Sequence, residues 1–140
     1  MPASDSFTIV EGLTTVPSNF GPKETMDRLE TEIRTKGLDV FTRIDHAASA
    51  AEVGLNLRPT ELIIFGNARG GTPLMQSVQT IGIDLPLKAL VWEDAAGKTW
   101  ISYNEPSWIA RRHGARNAEQ VVSKMGAALS AIARKAANSN

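Results

Sequence analysis

The sequence predicts an α+β fold, a mixed and mostly antiparallel sheet packed by helices. Three observations lead there. Strand-like and helix-like segments succeed one another in the order β-α-β-(α)-β-α-β-β-α-α. Two of the strand segments flank Ala95–Ala96–Gly97, a hairpin turn that a purely parallel sheet does not contain. A chain of 140 residues is one domain by the usual size, long enough to bury a core without disulfides or metals. That core is expected between about residues 7 and 136, with polar termini at 1–5 and 138–140.

Phe7–Thr14 alternates Phe7, Ile9, Glu11 and Leu13 against Thr8, Val10 and Gly12, the pattern of a first strand. Pro17 to Pro22 forms a loop, and Pro22 suits the first turn of a helix. Met26, Leu29 and Ile33 mark that helix's apolar face, and Gly37 suits the position just past its end. Leu38–Asp45 reads as a half-buried strand with Leu38, Val40, Thr42 and Ile44 on one side. Asp45 caps a short alanine-rich helix at Ala47–Val53. Glu61–Phe65 is apolar on both faces, as in a strand at the centre of a sheet. Thr72–Pro73 reads as the cap and first residue of a helix over Leu74–Thr80. Strands follow at Leu87–Asp94 and Lys98–Tyr103, then a short helix at Pro106–His113 ended by Gly114. Asn117 with Gln120 resembles a capping box for a last helix, whose stripe is Val121, Met125, Leu129, Ile132 and Ala136.

Composition excludes whole classes of function. Hydrophobic residues make up 42% and charged residues 21%, an ordinary globule and not a disordered chain. Fifteen basic residues cancel fifteen acidic ones, which argues against a globally basic nucleic-acid binder. With no cysteine, disulfides, thiolate metal sites and cysteine catalysis are excluded. Two lone histidines argue against structural zinc, and no cofactor fingerprint is present. No apolar run approaches the ~20 residues a membrane helix needs, and no secretory signal is visible, so a cytoplasmic location is expected.

The stretch Phe65–Pro73 offers the best chemistry. It joins a buried strand to a helix start, its glycines let a backbone approach a ligand, and Arg69 adds a donor fork. It is neither a Walker loop nor a dinucleotide fingerprint. An anion site at Asn67, Arg69, Gly71 and Thr72 is one reading; a tight turn whose glycines supply positive φ is the other. His46 would serve as a general base if the fold brought Asn67 or Tyr103 beside it; otherwise it is a histidine at a strand end. His113 closes a helix, where a cation complements the dipole. Trp108 beside Arg111 and Arg112 suggests a partner surface. Ile81–Leu87 is unusually apolar for a connection, which implies burial, a pocket or a dimer contact.

Several ordered segments carry a resemblance. Arg43–Ala48, Phe65–Gly66–Asn67, Gly71–Met75, Ile81–Leu87, Val91–Asp94 and Tyr103–Pro106 are similar to the bacterial family catalogued as domain of unknown function 302, over roughly Phe7 to Ala133. The resemblance implies a compact α+β domain of the TATA-binding-protein-like fold type, often a homodimer, with no established reaction. It implies no DNA binding. The family pattern has proline after Gly-Asn; Ala68 stands there in this chain, which loosens the loop.

Three functions follow as expectations. The first is a module binding a small molecule or anion at Asn67, Arg69, Gly71 and Thr72 with Tyr103 at the rim. The second is a small hydrolase- or lyase-like enzyme using His46. The third is a homodimeric interaction domain without ligand.

Overall fold

Residues 9–138 are described by a computed structural model. The elements are β1 (Leu13–Pro17), α1 (Pro22–Thr35), β2 (Asp39–Asp45), α2 (His46–Glu52), β3 (Thr60–Gly66), α3 (Ala68–Ser77), β4 (Leu87–Glu93), β5 (Thr99–Asn104), α4 (Pro106–His113) and α5 (Glu119–Ala137). A 3-10 turn at Gln79–Ile83 links α3 to β4. The order is the one the periodicity predicts.

The strands form one five-stranded sheet in the order β1-β5-β4-β3-β2, and every neighbouring pair is antiparallel. Strands β2 to β5 follow as a meander, each beside the next in sequence. Strand β1, from before α1, adds to the far side of β5, so α1 carries the chain from one sheet edge to the other.

Helices α1 and α5 cover one face. Met26, Leu29 and Ile33 of α1 and Leu129, Ile132 and Ala136 of α5 meet Ile63, Phe65, Val91 and Ile101 from the strands. Burying each large side chain contributes about 1.5–3 kcal/mol, so this layer dominates stability. Arg28 fastens the two helices. Its guanidinium donates to the carbonyls of Ala136 and Lys135, both at 2.9 Å, and lies 4.1 Å over the Phe20 ring. A cation there complements the C-terminal dipole of α5. A second cluster of Leu74, Ile81, Ile109 and Ala118 lies under Trp108 and Val121. Ile81 is fully buried, so the apolar connection turns inward, with Ile83 left exposed.

The other face carries Leu62, Leu90 and Ile44 in one cross-strand row. Trp92 and Trp100 pair across the hairpin, stacked with ring centroids 6.1 Å apart. Their indole N–H groups donate to Ser102 and Asp94, both at 2.9 Å.

Four local expectations are corrected. The first strand is Leu13–Pro17, because Gly12 at φ 78° turns the chain where extended alternation was expected; Phe7 and Thr8 lie outside the described residues. In β2 a bulge between Val40 and Thr42 inserts one residue. Side chains beyond it therefore change faces. Val40 stays opposite Phe65 on the helix side, while Ile44 pairs with Leu62 on the open side. Arg43, opposite Ile63, takes the place under α1. Helix α3 begins at Ala68 with Asn67 as cap, not at Pro73 with Thr72 as cap. The Asn67 side chain accepts the amide of Gly70 at 2.8 Å, which starts the helix early and leaves Pro73 inside it. Finally, Asn117 adopts a left-handed φ of 57° and makes no side-chain cap; Ala118 stands at the cap of α5.

Candidate functional site

The chain leaves β3 at Gly66 and turns into α3 through Asn67. Beneath that turn lies a cavity of about 500 Å³. Leu38 and Phe41 wall it from β2 and the residue before it, and Phe65 from β3. Ala68, Gly71 and Met75 wall it from α3, and Leu85 with Pro86 from the segment before β4. Met125, Ala128 and Ile132 of α5 close the far side. The bulge explains Phe41, which is the extra residue of β2 and stays 56% exposed at the rim. A Cβ added at Gly71 would meet only ordinary contacts with Met75 and Leu85, so a methyl group would fit there.

The wall is overwhelmingly apolar. Among the described residues on it, Lys124 carries the only charge, and it sits exposed at the mouth. Asn67 and Thr72 add polar groups at the same turn. One Asn67 oxygen is committed to Gly70, and its amide nitrogen has no partner among the described residues. The amides of Ala68 and Arg69 precede the first bond of the helix, which Gly71 makes to the Asn67 carbonyl at 3.1 Å. A small molecule held here would bury an apolar body and meet polar donors at one end.

The sequence-predicted residues are thus divided. Asn67, Gly71 and Thr72 are brought to the cavity wall. Arg69 is exposed and points its residue away from that wall, because α3 already begins at Ala68 and turns it outward. Tyr103 is not on a rim. It is 5% exposed, faces α5 from β5, and belongs to the core. Burial and then Glu105 push its hydroxyl above the ordinary tyrosine value, against hydrogen bonds with Thr14 and Ser130. His46 opens α2 and is exposed, with no hydrogen-bond partner among the described residues. Asp45 beside it is committed to the Ala48 amide at 2.9 Å. Asp45 pairs with Glu61 while Asp39 pairs with Gly66, so His46 and Asn67 lie at opposite ends of the β2–β3 pair. That separation is roughly 17 Å at ~3.3 Å per residue. The acid–base expectation finds no second group at His46. Trp108 packs over Gly12 within the chain.

Two polar clusters escaped the sequence reading. His113 Nε2 lies 2.5 Å from Asp84, Arg112 donates to the same carboxylate oxygen at 2.6 Å, and Thr80 contacts His113 Nδ1 at 3.0 Å. This clasp ties the turn before β4 to the end of α4. Arg43 forks onto Glu61 at 3.0 Å and reaches Asp27 and Glu30 of α1 at 3.1 Å. The signal for neither was local, since the partners lie 13 to 33 residues apart.

The chain is 53% identical over 105 residues to "Fluoride-specific ion channel FluC 1" of Brucella suis biovar 1 (strain 1330), covering 75% of this chain and 41% of that protein. It matches a protein of the same name in Brucella abortus biovar 1 (strain 9-941) at the same identity, covering 39% of it. The chain therefore spans about two fifths of the length of these curated relatives. No helix among the described residues is long and apolar enough to cross a membrane. The fold is similar to the crystal structure of an uncharacterized conserved protein DUF302 from Bacillus stearothermophilus, with a TM-score of 0.82 at 20% identity over 91% of this chain and 99% of that one. The family described as "Domain of unknown function DUF302" matches residues 14–132, nearly all of the described fold, and the chain belongs to that family.

Proposed function

We propose that this chain is a small-molecule-binding module whose ligand occupies the cavity between α3 and α5. The cavity itself carries the reading. Its volume of about 500 Å³ falls within the range of ligand sites, and its apolar wall with a few polar groups at one end is their usual make-up. The site is open to solvent on one side, so a ligand can enter it without unfolding the core. Here it lies where a loop, two helices and two strand ends converge, which is a binding geometry. N-phenylnaphthylamine, a neutral dye that brightens in apolar surroundings, tests it. Saturable single-site binding is expected, and Ala128→Phe, which projects a ring from α5 into the cavity, abolishes it while far-UV circular dichroism stays unchanged. Binding that survives Ala128→Phe in a folded variant overturns the proposal.

The curated relatives favour a second reading, in which the chain acts alongside a fluoride channel. Its support is the 53% identity to part of proteins of that name. Deleting the chain from its host and measuring the fluoride concentration that stops growth tests it. Lowered tolerance is expected, and unchanged tolerance removes the reading.

A further inference from the structure

We infer that the ligand of this cavity is an amphiphilic monoanion, an apolar body ending in one carboxylate, sulfonate or phosphate group. The inference rests on the binding reading above and adds the chemical class. Three observations carry it. First, the interior is lined by residues such as Phe65, Met75, Leu85 and Met125, which would strip water from a bare inorganic ion and return nothing for it. An ion alone does not suit the site, but an apolar body does. Second, charge on the wall is one-sided. Lys124 stands at the mouth without an ion-pair partner among the described residues, and no carboxylate lines the wall. A cationic ligand would find no counter-charge there, and a neutral one would leave the lysine unused. Third, Asn67 at the turn into α3 also lines the cavity, and its side-chain amide nitrogen has no partner among the described residues. Lys124 and Asn67 are both donors and suit an acceptor group. The geometry therefore orients the ligand with its apolar body between the helices and its anionic end at the solvent-facing mouth.

A pair of dyes sharing one aromatic body separates the two claims. Anilinonaphthalene sulfonate carries the anionic end, and N-phenylnaphthylamine lacks it. Both are titrated onto the full chain, onto Lys124→Gln and Lys124→Glu, and onto Ala128→Phe, with circular dichroism as the folding control. Lys124 is exposed, so its variants are expected to keep the fold. Lys124→Gln weakens the sulfonate about threefold to fivefold, as for an exposed ion pair, and leaves the neutral dye unchanged. Lys124→Glu weakens the sulfonate further, by about tenfold. Raising salt mimics Lys124→Gln for the sulfonate alone. If Ala128→Phe abolishes both dyes but Lys124→Glu leaves the sulfonate unchanged, the anionic end is overturned and the cavity reading stands. If the wild-type chain binds neither dye, or Ala128→Phe leaves both in place, the cavity reading falls and this inference falls with it.

Discussion

Gly12 holds a φ of 78° beneath the indole of Trp108, and an added Cβ would lie 2.2 Å from ring carbon Cγ. Gly37 has nearly the same φ, 79°, with nothing within 4 Å of the added atom. Both substitutions to alanine carry the strain of a left-handed residue, about 1–2 kcal/mol. Only Gly12→Ala must also push a large ring aside, for a further 1–3 kcal/mol. Urea denaturation of the two variants isolates that contact, and equal losses would show that Trp108 yields freely. At Asp84, partial burial alone would raise the carboxyl's pKa. Hydrogen bonds from His113 and Arg112 outweigh it and hold the group below the ordinary carboxylate value. The unfolded chain then binds a proton more readily than the native one as pH falls. The clasp contributes fully above the ordinary carboxylate range and is lost as pH drops through that range toward the lowered native value. Asp84→Asn is expected to be less stable at neutral pH and to lose less on acidification, read by thermal melts across pH. A wild-type acid limb that Asp84→Asn leaves unchanged would remove Asp84 from it. Neither residue was legible beforehand: Gly12 sat inside an alternating run, and Asp84 lies 29 residues from its histidine.

The bulge in β2 is the element on which several features turn. By adding one residue it sends Ile44 to the open face, leaves Phe41 at the cavity rim, and puts Arg43 between α1 and β3. Arg43 is 28% exposed there and holds Glu30 and Glu61, which are similarly covered. Their bonds are charge-assisted but within reach of water. Arg43→Ala is therefore expected to cost on the order of 1–2 kcal/mol. Arg43→Lys recovers only part, because an ammonium cannot fork onto Glu61 while reaching α1. Urea midpoints at low and high salt check this, and full recovery by lysine would mean that charge alone matters. Strict alternation cannot announce a bulge, since the pattern Leu38, Val40, Thr42, Ile44 reads as one face until pairing is known. Helices were more legible because their signals are local. The apolar stripe of α1, Pro22 at its start and Gly114 past the end of α4 hold as read. Helix α3 was displaced because Thr72–Pro73 and Asn67 are both plausible starts, and the competition is decided by which side chain reaches an amide.

At the scale of the molecule, the cavity sits on the seam between two hydrophobic clusters. Leu85 and Met125 pack against both, and both line it. The turn at Asn67 was legible from Gly66, whereas Gly70 and Gly71 fall inside α3 and supply no positive φ. The α5 wall was not, because Met125 and Leu129 at helical spacing look the same whether they meet a packed neighbour or a void. The placement of β1 beside β5 was equally hidden, since non-local pairing leaves no periodic trace. The seam has a dynamic consequence. Helix α3 buries only Leu74 fully, so its amides open at low free energy when the cavity is empty. Helix α2 buries no residue fully and stands at the far end of β2, which makes it an internal control. A ligand that binds the closed form adds RT ln(1 + [L]/Kd), about 2.7 kcal/mol at 100 times Kd. Hydrogen exchange with N-phenylnaphthylamine at that excess should therefore slow α3 amides by up to about 100-fold. The first half of α5 should slow with them, while α2 should exchange as before. Uniform slowing through α2 as well would place the dye elsewhere. Selective slowing at α3 and α5 would mean that filling one cavity joins two separately formed clusters into a single cooperative core.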